Sequence, residues 1–104
     1  MYKYNIYIGK FDKDLKFQTL TDKQFLDTID YVLDLFGINC YTIYNTTGVY
    51  KHKDSTIINE PSLIVETIDK VDFKDGYLKR IKFKLEQSLN QETVLITKQE
   101  IQVL

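Results

Sequence analysis

One cysteine, one histidine, one proline and no tryptophan leave this chain poor in the residues that usually announce a staple or a site. Cys40 stands alone, which excludes an internal disulfide and any cysteine-based zinc centre. Its place in a strand-like stretch predicts a buried structural thiol. His52 has no paired base or nucleophile, so it does not make a catalytic constellation by itself. No Gly-rich phosphate loop or metal-ligand set is present, so neither a cofactor nor a metal is expected. No apolar run approaches a membrane span, and the opening MYKYNIYIG lacks the apolar core of a signal peptide. A cytoplasmic protein without membrane association is the expectation. The formal net charge is −1, without the basic excess of a duplex-binding surface, and nucleic acid is disfavoured as a partner.

What is present reads as one globular domain spanning 1–104: 43% of residues are hydrophobic and 28% charged. Abundant Lys, Ile, Asn and Tyr point to an AT-rich coding sequence, as in a low-GC bacterium, its phage or a mobile element.

Tyr2 to Gly9 alternates, Tyr4, Ile6 and Ile8 against Lys3, Asn5 and Tyr7, which predicts a strand with one buried face. Lys10 to Thr19 is a polar connection whose Phe11 is expected to fold back on the core. Thr21 and Gln24 are spaced for a capping box, and Leu20 and Phe25 for a hydrophobic staple. Phe25, Ile29, Val32, Leu33 and Phe36 follow as one apolar stripe, with Gly37 placed to end the helix. Asp27, Asp30 and Asp34 on the opposite side read as a solvated face rather than a cation site.

Asn39 to Tyr50 and Thr56 to Ile68 are the next two strands, turning near Lys53-Asp54-Ser55. Gly48 suggests a bulge or a close approach, and Pro61 a bulge or a locally unpaired stretch. A second helix from Tyr77 to Leu89 buries Leu78, Ile81, Leu85 and Leu89, with Asp72 or Asp75 as candidate N-cap. Glu92 to Val103 is the last strand. The order β-α-β-β-α-β predicts an α+β, ferredoxin-like two-layer sandwich. It has a four-stranded antiparallel sheet, with two helices on one face and the first and third strands central.

That topology gathers several loops at one end of the sheet. Lys10, Tyr50, Lys51, His52, Lys53, Gln91 and Glu92 are therefore the candidate ligand- or partner-binding residues. The first helix would point its N-terminal amides there, favouring an anion. The sheet face left bare by the helices carries Tyr7, Thr42, Tyr44 and Ile64, expected to form an oligomer interface between copies of a dimer or trimer.

Tyr7-Ile8-Gly9, Thr42-Ile43-Tyr44-Asn45 with Gly48-Val49-Tyr50, and Asn90-Gln91-Glu92-Thr93-Val94-Leu95 resemble the bacterial family known as domain of unknown function 3574. That resemblance implies no catalytic residues. By architecture alone the chain is also similar to the nitrogen-regulatory signal proteins, which implies nucleotide binding between subunits of a trimer. The expected function is a non-catalytic binding or regulatory protein that captures a protein or small anionic ligand at the hairpin end. A phage- or mobile-element-encoded inhibitor of a host factor is its concrete form. The alternatives are a small enzyme using Tyr50, His52 and Glu92 between subunits, or single-stranded nucleic-acid binding on Tyr7 and Tyr44.

Overall fold

Period-two alternation in the strands and a 3.6-residue stripe on each helix give every element one apolar side, and these sides meet in one layer. The computed structural model describes residues 1–51 and 54–104. Its elements are β1 (Tyr2–Gly9), α1 (Asp22–Leu35), β2 (Thr42–Lys51), β3 (Ile57–Asp69), α2 (Asp75–Leu89) and β4 (Leu95–Glu100). The strands form one antiparallel sheet in the order β2-β3-β1-β4, so β1 and β3 are central as the crossover rule requires. This is the ferredoxin-like two-layer arrangement expected from the order of elements.

The core lies between sheet and helices. Ile6 and Ile8 of β1, with Leu63 and Val65 of β3, meet Phe25, Ile29, Val32 and Leu33 of α1 and Ile81, Leu85 and Leu89 of α2. The capping box closes as its spacing predicts: Gln24 N donates to Thr21 Oγ1, and Thr21 N to Gln24 Oε1. Gly37 ends the helix at φ 75°, in the left-handed region where glycine carries no side-chain penalty. Asp27 pairs with Lys23, and Asp30 accepts from the Tyr41 hydroxyl. Burial and the Asp30 carboxylate together push the Tyr41 phenol up to about 12.

Several local expectations change. Cys40 is exposed, because β2 begins only at Thr42 and Ile38 takes the buried position of the connection. The N-cap of α2 is Lys74, with Asp75 inside the first turn beside the free amides; Asp72 is held by Lys74 and Lys98 instead. β4 starts at Leu95, since the preceding residues fold onto α2, where Val94 N donates to Glu86 Oε2 at 2.9 Å. Pro61 does not interrupt β3. Its carbonyl accepts from Lys10 N at 2.9 Å, so its ring nitrogen faces the side where β1 has ended, and the β2 register runs on through Thr47↔Pro61. Gly48 keeps that register too, without a bulge.

Tyr4 ties the core to the entry of α2. Its hydroxyl donates to Val71 O and accepts from Phe73 N, both at 2.8 Å, while the ring is 2% exposed. Phe73 in turn stacks on Tyr77 at 5.2 Å between centroids. Tyr4→Phe leaves the Phe73 N–H and the Val71 carbonyl without these part-buried bonds, and urea denaturation should show a loss of about 1 kcal/mol. An unchanged midpoint would mean that water replaces both bonds.

Candidate functional site

β1 stops at Gly9, opposite Ser62, while β2 and β3 continue pairing out to Lys51 and Ile57. The β2–β3 ribbon therefore overhangs the end of β1, and a cavity of about 560 Å³ fills the step. Three segments wall it. The ribbon contributes Tyr50, Ile58 and Glu60; the β1–α1 connection contributes Phe11, Asp12, Lys13 and Lys16; the α2–β4 turn contributes Gln91, Glu92 and Thr93. The volume suits a nucleoside-sized molecule. A second cavity of about 400 Å³ shares Gly9, Tyr50 and Thr93 with it and runs onto the bare sheet face past Tyr7, Ser62 and Ile64.

Glu60 is the central group. It faces the same side of the sheet as Ser62, Ile64 and Glu66, and its carboxylate leans over the backbone of Gly9. Burial pushes its carboxyl above the ordinary 4.5, and the Phe11 backbone N–H beside it pulls the other way. Gln91 is 6% exposed; its Nε2 donates to Phe11 O at 2.9 Å, which turns the amide oxygen toward Glu60 above Gly9. Two acceptors thus face one spot, a geometry that suits a cation or a cluster of N–H and O–H donors.

The wall from the β1–α1 connection is tied to the end of α2. Asn90 adopts φ 50°, ψ 48°, and its Nδ2 donates to Asp12 Oδ2 at 2.7 Å and Asp14 Oδ2 at 3.0 Å. The Asn90 amide, with the backbone N–H groups of Leu15 and Asp14, holds the Asp12 carboxyl below its ordinary value. Lys13 N adds a bond to Asn90 O at 3.0 Å.

Of the residues singled out from the sequence, Tyr50, Gln91 and Glu92 line this cavity together. Lys10 turns to the helix side, where its nearly buried ammonium meets Asp22 Oδ1 at 3.1 Å. Gln18 and then Lys10 hold the Asp22 carboxyl below its ordinary value. The start of α1 is accordingly occupied by its own capping box and this pair, rather than open to an anion. Lys51 is exposed at the ribbon tip, and its side chain belongs to the helix-facing parity. His52 and Lys53 lie outside the described residues. Tyr7, Thr42, Tyr44 and Ile64 all project from the bare face, where the Tyr44 hydroxyl donates to Glu66 Oε2 at 2.7 Å. Among the described residues no group of three or more His, Cys, Asp or Glu is arranged to hold a metal ion. No helix of the described residues is long and apolar enough to cross a membrane.

Sequence reasoning passed over Glu60, Phe11 and Ile58 as site residues. Parity alone places Glu60 on one face with Ser62 and Ile64; that β1 ends beside it, at Gly9, comes from the sheet register.

Gln91→Leu strips the Phe11 carbonyl of its side-chain donor while keeping the volume. Urea denaturation should report a loss of about 1–3 kcal/mol for that unsatisfied group; a neutral result would assign the bond to water.

No protein-family model matches the chain, and no curated protein matches it. Among solved structures, it is similar to a phage SAM lyase in complex with S-methyl-5'-thioadenosine. The TM-score is 0.69 at 21% identity, covering 95% of this chain and 80% of that one. The apo state of a phage SAM lyase is similar at TM-score 0.68 and 21% identity, covering 94% of this chain and 78% of that one. At this identity the likeness is one of fold.

Proposed function

We propose that this protein is a small lyase that binds S-adenosylmethionine (SAM) in the cavity at the step of the sheet and cleaves it to S-methyl-5'-thioadenosine. The carrying observation is a half-buried carboxylate, Glu60, inside an aromatic-walled cavity of nucleoside size. Fold likeness to the phage SAM lyase supports the reading, but the residues of the site have to sustain it.

They suit the substrate. Phe11, Tyr50 and Ile58 offer apolar and aromatic surface to a nucleoside, and Glu60 with the Gln91 oxygen offers acceptors to ribose hydroxyls or an ammonium. Lys13 and Lys16 also line the cavity.

The reaction asks little of acid-base groups. The bond between sulfur and the amino-acid γ-carbon breaks, its electron pair stays on sulfur, and the thioether leaves neutral. The substrate's own carboxylate oxygen can close on that carbon to form a lactone, so atoms and charge balance without a proton transfer. What the protein supplies is the folded substrate conformation. Positive charge on sulfur vanishes in this step, so a carboxylate pressed against it would favour the ground state. Glu60 is therefore assigned to the donors of the substrate, which keep their charge.

Removal of SAM from a host cell would be the chemical form of the expected host-factor inhibitor, and the phage origin of both structural neighbours supports that setting. On the bare face, Tyr7, Thr42, Tyr44 and Ile64 are proposed to meet a second copy of the chain. Glu66 beside Tyr44, also 3.8 Å from Lys3, sets a carboxylate where a polyanion would have to lie.

Purified protein incubated with SAM should release S-methyl-5'-thioadenosine, followed by mass spectrometry. Glu60→Gln should weaken SAM binding by at least about tenfold, the loss of one charge-assisted hydrogen bond. Because the ionised carboxylate is the binding form and burial raises its titration, wild-type affinity should fall with decreasing pH starting above 4.5, and Glu60→Gln should lack that limb. SAM that stays intact but binds calorimetrically would leave a capture protein; no binding at all would end the proposal.

A further inference from the structure

We propose that Gly9 and Gly48 are positioning residues of this site: the space left by their missing side chains seats the Glu60 carboxylate and the Tyr50 ring. The assignment deepens the reading above, since it takes Glu60 and Tyr50 as the groups that meet the ligand.

The four glycines of the chain differ in what requires them. Gly37 needs its left-handed backbone, and a Cβ there would meet nothing within 4 Å. Gly76 lies at the start of α2, where a Cβ would also enter open space. Gly9 and Gly48 have neither a positive φ nor open space above them. A Cβ on Gly9 would fall 2.1 Å from Glu60 Oε1, 2.8 Å from its Cδ and 3.1 Å from Gln91 Oε1. A Cβ on Gly48 would fall 3.2 Å from Ser62 Oγ and from Tyr50 Cε2, and 3.3 Å from the Tyr50 hydroxyl.

Both glycines point to the bare side of the sheet, and Gly48 is the register partner of Glu60. Glu60 thus leans one way, across β1, while Tyr50 folds back over β2. The gap between them belongs to the cavity.

The kind of atom met at each position separates a positioning role from a structural one. At Gly9 the obstructing atoms belong to the far end of a flexible side chain, not to backbone. A methyl group there moves the carboxylate and leaves the strand in register. The fold should tolerate the substitution, and the site should not. At Gly48 the neighbours need yield only a few tenths of an ångström, so the same substitution should act more gently.

The experiment compares Gly9→Ala, Gly48→Ala and Gly76→Ala with the wild type by thermal unfolding, carbon-detected NMR titration of the Glu60 carboxyl, and SAM cleavage. Gly9→Ala should keep the wild-type Tm to within about 4 °C. It should return the Glu60 titration toward the ordinary carboxylate range and lower cleavage on the order of 10²-fold. Gly48→Ala should lower cleavage less, and Gly76→Ala should change neither the Glu60 titration nor the cleavage. If Gly9→Ala does not fold, the double variant Gly9→Ala/Glu60→Ala removes the obstruction and should fold. Failure of both would make the glycine a backbone requirement and overturn the proposal. An unchanged Glu60 titration in Gly9→Ala overturns it as well, whether or not SAM is a substrate. A wild type that leaves SAM intact defeats the lyase assignment alone, because the titration still tests the seat.

Discussion

β1 ends at Gly9 while its neighbour β3 runs on to Ile57 in partnership with β2, and the rest of the structure depends on this inequality of strand length. A two-stranded ribbon standing alone in water is marginal, because it has no second layer to cover. Here the first part of the overhang is held by Lys10 N on Pro61 O, and the space beneath it is bounded by the two loops that meet at this end of the helical layer, where α1 begins and α2 ends. The cavity follows directly. Had β1 continued, its backbone would occupy the space now lined by Phe11 and Gln91.

The pleat then decides which side chains enter. Successive residues of a strand face opposite sides, so Gly9 and Lys10, adjacent in sequence, serve different layers. Gly9 lies on the bare side beneath Glu60. Lys10 lies on the helix side, where Asp22 meets its ammonium. The same alternation sends Tyr50 to the cavity and Lys51 away from it. A single shift of register would exchange these roles throughout.

Glu60 marks where stability and function pull apart. A carboxylate withdrawn from water raises the cost of its ionised form, and the adjacent Phe11 N–H offsets that cost only in part. A chain selected for stability alone has no reason to keep an acid there over a bare glycine. Under the proposed function the bound substrate supplies the donors Glu60 lacks, and binding then adds to the stability of the fold.

Local patterns in the sequence were sufficient for the elements and for their order in the sheet. Each rests on interactions between near neighbours: the Thr21–Gln24 box, the Phe25-Ile29-Val32-Leu33 stripe, and the alternation of Tyr4, Ile6 and Ile8. The handedness of crossovers does the rest, so the ferredoxin-like sandwich could be read before any coordinate. The rim of the sheet was legible in part, through Tyr50, Gln91 and Glu92. Glu60 was not, since a glutamate before a proline carries no sign of which strand will end beside it. Cys40 misled for a related reason: β2 starts two residues later, at Thr42, and the connection into it turns Ile38 rather than Cys40 to the core. Sequence settled what each segment is, because that physics is short-ranged. Only the tertiary structure decided where β1 stops against β3, and hence that Gly9, Glu60 and Gln91 share one space, because that depends on the lengths of three elements at once.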